Sequence, residues 1–381
     1  METSIRRQFY QRFGKEAFLV AAPGRVNLIG EHTDYNQGYV LPAAIDKKIY
    51  IGISKNDKPV LRVFAAQYQQ ELSFSLDQLA PVEGWPTYLL GMIYYLQKDR
   101  GAFEGLDVYI DGNIPIGAGM SSSAAICTGF GLAMNELFNL GFTRMQLALA
   151  AQKTEHNFAG LMCGIMDQFA VLHGKSGHVI KLDCRNMDYE YIPFHFPDYR
   201  VVLVNSMVSH SLAGSEYNVR RAQCEEGISI LQKYYPDIQS LRDVTGKQLE
   251  LHKNILPEIV YRRCHFIVHE NERLLQGCDF LSKDNLGEFG KLMFETQEGL
   301  SKWYEVSCPE SDFLSEEAKT YPGVMGARQM GGGFGGCTIN IVREDVIEDF
   351  AEFIQKKYTK KFNKVPEIYI TQIEDGAHVV R

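Results

Sequence analysis

The stretch Asn113-Ile-Pro-Ile-Gly-Ala-Gly-Met-Ser-Ser-Ser-Ala-Ala125 constrains this chain more than any other. Ahead of it, Leu106, Val108 and Ile110 alternate with Asp107, Tyr109 and Asp111, the period of a half-buried strand. Behind it, apolar residues from Ala124 through Leu132, Ala133, Leu137 and Phe138 keep a helical spacing. The segment therefore reads strand, glycine-serine loop, helix. Gly117 and Gly119 free the backbone to turn with its N–H groups exposed, and Ser121, Ser122 and Ser123 sit where the helix opens. Free N–H groups and the helix dipole at that end attract anions. Serine hydroxyls add donors and can ligate a hard cation. The implied object is a phosphate cradle; the plainer alternative is a glycine turn with a serine cap.

Two other nucleotide-like patterns fall away on inspection. His173-Gly-Lys-Ser176 ends like a P-loop, but Phe169 stands where its first glycine belongs. Gly331-Gly-Gly-Phe-Gly-Gly336 fits GxGxxG, yet too little chain follows it to build a dinucleotide-binding half.

With 381 residues the chain can hold two domains with proper cores. A net charge of −8 disfavours nucleic acid as a partner. The eight cysteines are scattered without a CxxC pair, which fits reduced thiols in a cytoplasmic protein. Met1 to Tyr10 lacks the apolar core of a signal peptide and reads as an amphipathic helix; no apolar run reaches membrane-spanning length. A soluble, monomeric protein is expected.

Further along, Val26, Leu28 and Ile29 suggest a short strand broken by Gly30. Glu31, His32, Thr33, Asp34, Tyr35 and Asn36 then crowd one loop. Such closely spaced acceptors and donors suit a polyhydroxylated ligand, although Asp and Asn also favour ordinary turns. Strands are expected at 47–53 and 60–64, and a helix from Trp85 and Tyr88 to about Lys98. Trp85 and Tyr88 are either core residues or an adenine-stacking wall. Thr143 and Gln146 form a capping box for a helix reaching His156, with Glu155 near its end. A carboxylate is disfavoured there, a cost that a bound cation would offset. Asp167 falls in the first turn of a short helix that ends before Gly174.

Pro193 and Pro197 precede a new strand at 200–204, and the boundary between domains is placed at 195/196. Beyond it come a polar loop from Ser209 leading into a helix, helical patterns at 255–277 and 283–303, a strand at 338–342, a helix at 344–358 and a strand at 366–372. That half reads as an α+β sandwich.

Taken together, these blocks closely resemble the galactokinase branch of the GHMP small-molecule kinases. Pro23 to Asn36 is similar to its sugar signature, Pro115 to Ala125 to its ATP-phosphate motif, and Gly331 to Cys337 to its third motif. Gly164-Ile-Met-Asp-Gln168 and Ser215-Glu-Tyr-Asn-Val-Arg-Arg221 extend the match over nearly the whole chain. The resemblance implies a two-domain α+β fold, a mixed-sheet N-terminal domain and a ferredoxin-like C-terminal sandwich, with the active site in the cleft between them. It implies galactose and ATP as ligands, with Mg²⁺. Asp167 would be the catalytic carboxylate facing the anomeric hydroxyl, as base or as orienting group, and Arg25 its cationic partner. Glu31, His32, Asp34, Gly164 and Tyr217 would contact the sugar. Gly117, Gly119, Ser121 and Ser122 would wrap the phosphates, Ser123 and Glu155 would hold the metal, and Trp85 and Tyr88 would flank the adenine.

Three departures stand out: Gln37 in place of a usual glycine, Ile126-Cys127 in place of Leu-Glu, and the segment 297–304. Rival readings are a related kinase for an N-acetylated hexosamine or a pentose, and a sugar- and ATP-binding regulator without catalysis. An intact phosphate loop, Asp167 and Arg25 argue against the regulator.

Overall fold

A six-stranded mixed sheet carries the first half of the chain. The computed structural model describes residues 1–208 and 213–381. Helix α1 (Glu2–Phe13) stops at Gly14, whose φ of 68° is left-handed, and β1 (Phe18–Asn27) follows. This strand starts well ahead of the short one expected near Val26, because Ala22-Pro-Gly24 does not break it. A shift of register between Pro23 and Arg25, where β1 pairs with the long β3, absorbs the proline and glycine as an irregularity of that ladder. Next come β2 (Tyr39–Val40), β3 (Pro42–Asn56), β4 (Val60–Ala65), β5 (Gln70–Ser75), α2 (Pro86–Arg100) and β6 (Gly105–Gly112). Helices α3 (Ser122–Phe138), α4 (Arg144–Asn157) and α5 (Met166–His173) complete the layer behind the sheet. Thr143 and Gln146 form the expected capping box at α4. Strands β7 (His178–Asp183) and β8 (Tyr189–Pro193) join β2 in a separate three-stranded sheet.

The second half opens with β9 (Tyr199–Asn205). The polar run read from Ser209 begins outside the described residues, and α6 (Ala213–Leu231) continues it. Helices α7 (Gly246–Leu251), α8 (Glu258–Ser282) and α9 (Leu286–Gly299) precede a π-helical turn at Leu300–Tyr304 and α10 (Pro309–Thr320). Then β10 (Val324–Gln329), β11 (Cys337–Arg343), α11 (Ile347–Phe362) and β12 (Glu367–Thr371) close a four-stranded antiparallel sheet. Its order, β12-β9-β11-β10, with helices between β9 and β10 and between β11 and β12, is the ferredoxin-like arrangement. The last strand, β13 (His378–Val379), returns to the first sheet and pairs with β1, so that sheet runs β13-β1-β3-β6-β4-β5. Among the described residues, only β4 and β6 pair in parallel.

All eight cysteines are free. Among the described residues, no helix is long and apolar enough to cross a membrane.

Gln37 shows how one departure is accommodated. It closes the 3₁₀ turn Asp34–Asn36 with φ 57°, a conformation that costs a residue with a Cβ about 1 kcal/mol. Its amide accepts from Arg185 Nε at 3.2 Å, an exposed contact of small value. Gln37→Gly is therefore expected to stabilise the protein by about 0.5–1 kcal/mol, net of the extra freedom glycine has when unfolded. A thermal melt that falls instead of rising would overturn this.

Candidate active site

The loop between β6 and α3 turns through three left-handed residues: Gly117 at φ 75°, Gly119 at 73° and Ser121 at 57°. A Cβ would meet no atom within 4 Å at Gly117 and nothing nearer than 3.9 Å at Gly119. Glycine is required there by conformation rather than by space. Ser121 occupies the N-cap position of α3, yet its side chain caps nothing. Its hydroxyl donates instead to Asp167 Oδ2. The N-terminal N–H groups of this long apolar helix are thus left to an outside acceptor. The loop leans on β1: Arg25 N donates to Met120 O at 3.2 Å, and a Cβ on Gly24 would lie 2.9 Å from that same oxygen.

Arg25 and Asp167 meet in a fork. Nε donates to Oδ1 at 2.7 Å and Nη2 to Oδ2 at 2.9 Å, while Nη1 donates to Gly119 O at 2.6 Å. The guanidinium therefore links β1, the phosphate loop and the first turn of α5. Burial works against its charge, but Asp167, Glu31 and Asp34 prevail and hold its pKa above the usual value. Such a planar, bidentate pair is a geometry that lysine cannot reproduce.

Beyond β1 the signature loop folds against the second half of the chain. Glu31 Oε1 accepts from Nη1 and Nη2 of Arg328, each at 3.2 Å, and from Gly331 N at 2.9 Å. Arg328 is fully buried and also donates to Leu28 O and Asn27 O. From α8, Glu270 Oε1 accepts from Gly30 N at 2.8 Å and Asn271 Oδ1 from Tyr39 N at 2.9 Å. Every one of these bonds joins the loop to a residue more than two hundred positions away. Sequence reasoning missed Arg328, Glu270 and Asn271. No local signal points to them, because the burial of Arg328 and Gln329 in β10 exists only in the assembled fold.

Asp34 packs against Gly164, where a Cβ would fall 1.9 Å from Asp34 Oδ2. Burial first, then the charge of Asp167, pushes the Asp34 carboxyl up to about 7. His32 is buried among aromatic rings, and burial followed by Arg220 and Arg328 pushes its imidazole down to about 3, so it is neutral. Glu155 is buried as well, its Oε2 has no hydrogen-bond partner, and burial followed by Asp167 pushes it up to about 7.

These groups share one cavity of about 200 Å³, walled by Arg25, Glu31, His32, Asp34, Ser123, Glu155, Gly164, Asp167 and Tyr217, with Gly331 and Gly332 from the glycine run. A second, more open trough of about 460 Å³ holds Trp85, Tyr88, Ser122 and Ser123. Ser123 lines both. Gly117 and Gly119 line neither; they shape the loop. Tyr88 is not the ring that faces Trp85. That ring is Tyr68, parallel within 3° at a centroid distance of 6.1 Å, whereas Tyr88 lies beside Ser123 and Glu155. Tyr68 sits in a short 3₁₀ turn, Ala66–Tyr68, that no periodicity announces.

Among the described residues, no group of three or more His, Cys, Asp or Glu side chains is set to hold a metal. Mg²⁺ does not require one, since one or two protein oxygens beside substrate phosphates and water suffice. An unpartnered buried carboxylate oxygen on Glu155, facing the same cavity as Ser123, fits that donor set.

Comparison with known proteins finds relatives along nearly the whole chain. The profile described as the galactokinase galactose-binding signature matches residues 7–55, that of the GHMP kinases N terminal domain residues 87–175, and that of the GHMP kinases C terminal domain residues 279–360. A galactokinase of Roseiflexus sp. (strain RS-1) is 38% identical over 374 residues, covering 98% of this chain and 95% of its own. The crystal structure of Lactococcus lactis galactokinase complexed with galactose superposes over 100% of both chains with a TM-score of 0.95 at 33% identity. Methanococcus jannaschii mevalonate kinase, at 20% identity, shares the fold with a TM-score of 0.66 over 94% of this chain and 99% of its own. With its signature loop, its phosphate loop and both GHMP units accounted for, this chain belongs to the galactokinase family.

Proposed function

We propose that this protein transfers the γ-phosphoryl group of ATP to the anomeric C1 hydroxyl of D-galactose, giving galactose 1-phosphate and ADP, the opening step of galactose catabolism by the Leloir pathway. One observation carries the reading: Asp167 faces the polar cavity while Ser121 of the phosphate loop donates to it. Acceptor and donor sites therefore meet at one carboxylate.

In this reading Glu31, His32, Asp34 and Tyr217 orient the sugar, and Gly164 leaves Asp34 its room. The C1 oxygen attacks the γ-phosphorus, the bond to the β,γ-bridging oxygen breaks, and the hydroxyl proton passes to Asp167. A sugar hydroxyl is a far weaker acid than a carboxylic acid, so Asp167 orients the hydroxyl early and takes the proton late, as phosphoryl transfer makes the oxygen acidic. Arg25 and the α3 N-terminus oppose the negative charge on the transferring group. Trp85 and Tyr68 hold the adenine, with Tyr88 at the phosphate end. We place the domain boundary at 195/196, just ahead of β9, and take the protein to be a cytoplasmic monomer.

Mg²⁺ held by Ser123 and Glu155 would neutralise charge on the β- and γ-phosphates. Glu155 then gives a sign-definite expectation. A carboxyl whose folded pKa lies above its unfolded value stabilises the fold least above that folded pKa, so its cost grows as pH rises from about 4 to about 7. Glu155→Gln is expected to stabilise the metal-free protein at pH 8 by on the order of 1 kcal/mol. The same variant should raise the Mg²⁺ concentration needed for half-maximal turnover about tenfold or more. An unchanged Mg²⁺ requirement would remove Glu155 from the metal site.

The test of the reaction is ADP release with Mg-ATP against galactose, N-acetylgalactosamine, glucose and arabinose. Turnover on galactose is expected. Turnover confined to another sugar would move the substrate, and none on any sugar would leave a binding protein.

A further inference from the structure

From His32 of the sugar loop runs a line of buried polar groups, Tyr35, Tyr304 and Cys224, that the phosphoryl-transfer reading does not use. His32 Nδ1 lies 2.8 Å from the Tyr35 hydroxyl, which lies 2.7 Å from the Tyr304 hydroxyl, which lies 3.3 Å from Cys224 Sγ. Tyr35, Tyr217 and Tyr304 surround the imidazole with ring centroids 5.8, 5.3 and 4.9 Å away. At the far side of the ring, Nε2 is buried without a hydrogen-bond partner among the described residues, and His32 lines the cavity. Tyr304 ends the π-helical turn Leu300–Tyr304 within the segment that departs from the family pattern. Single π-turns of this kind are frequent where a helix must aim a functional side chain.

We propose that Cys224, Tyr304 and Tyr35 form a one-directional hydrogen-bond chain that fixes the tautomer of His32 with its hydrogen on Nε2, so that His32 meets the sugar as a donor. Both ends of the chain dictate the direction. At the inner end, the Tyr304 hydroxyl lies between a phenol oxygen at 2.7 Å and a sulfur at 3.3 Å, and oxygen is the stronger acceptor, so its hydrogen goes to Tyr35 and the Cys224 S–H is left to turn toward Tyr304. Cys224 then donates to Tyr304, Tyr304 to Tyr35, and Tyr35 to the lone pair of Nδ1. At the imidazole end, a phenol is the better donor and an imidazole nitrogen the better acceptor, so Tyr35 gives its hydrogen to Nδ1 and the hydrogen of the neutral ring stays on Nε2. The reversed chain is thus disfavoured at both termini.

This polarity divides the labour in the cavity. Glu31 and Asp34 offer carboxylate oxygens, which accept from sugar hydroxyls once Asp34 is ionised, whereas His32 offers a hydrogen to a sugar oxygen. Tyr35 and Tyr304 act through His32 and are positioning residues. The inference deepens the galactose reading and rests on it for the identity of the ligand alone.

The tautomer can be read without sugar. In ¹H–¹⁵N imidazole spectra of the full-length, ¹⁵N-labelled protein, His32 is assigned by the signal missing from His32→Gln. A protonated Nε2 and a bare Nδ1 are expected; a protonated Nδ1 in the free protein would overturn the proposal. Tyr35→Phe should change that tautomer pattern and raise the KM for galactose about tenfold, the worth of one buried hydrogen bond, with the KM for ATP and kcat little changed. Tyr304→Phe should act in the same direction and more weakly. An unaltered spectrum and KM in Tyr35→Phe would also refute the chain. The expected tautomer in a protein that fails to turn over galactose would uphold the chain and displace only the sugar.

Discussion

Asp167→Asn is expected to lower kcat by about 10²–10⁴-fold, the usual range for removing a proton acceptor placed at the reacting group. Asparagine has nearly the same shape and can still meet Ser121, so the loss would not come from a hole in the structure. It comes from two changes of charge. The amide cannot receive the C1 proton, and Arg25 loses both charged acceptors at 2.7 and 2.9 Å. Arg25 is buried and keeps only Gly119 O and opposite charges at greater range, so stability should fall as well. Asp167 is about a third exposed on its side chain, which keeps that fall below the cost of breaking a fully buried pair. The two effects separate by measuring kcat under saturating substrates alongside a thermal melt. Near-normal turnover would remove Asp167 from the chemistry. Arg25→Lys is a useful companion, since an ammonium keeps the charge but cannot make the fork.

Gly164→Ala carries the second large effect. The new methyl would stand 1.9 Å from Asp34 Oδ2, 2.1 Å from its Cγ and 2.6 Å from its Cβ. The last two distances rule out relief by a small swing of the carboxylate. The turn around Asp34 must move, and with it Glu31 and His32 on the same loop. Displacing a substrate-orienting group by about 1 Å costs on the order of 10²-fold. The expected result is a rise of that size in the KM for galactose, with the KM for ATP nearly unchanged, because the nucleotide trough lies on the far side of Ser123. Combining Gly164→Ala with Asp34→Gly removes the clash, since the Asp34 Cβ at 2.6 Å goes with the carboxylate. The pair should recover stability lost by the first change without recovering sugar binding. A wild-type KM in Gly164→Ala would show that Asp34 is not held where the cavity requires it.

The sequence was most readable where local chemistry and function coincide. The strand–glycine–serine–helix pattern around Gly117 to Ser123, the capping box at Thr143 and the position of Asp167 in a first turn depend on neighbours a few residues away, and all three appear as expected. The long helices and the strands β9, β11 and β12 followed from periodicity, whereas β10 was not read as a strand. Local reasoning fell short at β1, where only a short run near Val26 was read as strand, whereas the pairing with β3 continues back through Pro23 by a shift of register. It failed again wherever a partner lies far along the chain. Nothing near Glu31 announces Arg328, nothing near Trp85 singles out Tyr68, and the link from His32 to Cys224 passes through three separate segments. The signature loop could be recognised as a motif, but its rigidity comes from α8 and β10, which only the assembled fold brings to it.

The pairing of β13 with β1 also bears on how the protein is made. Val20 and Ala21 meet Val379 and His378, and Arg6 reaches Val380 O at 2.8 Å. One edge of the first sheet is therefore closed by residues that are translated long after the strand they cover. Until they have been made, the strand that carries Arg25 presents an open edge to the nascent chain and its surroundings. Co-translational folding can assemble β1, β3 and β6 early, yet it cannot seal them until that distant stretch arrives.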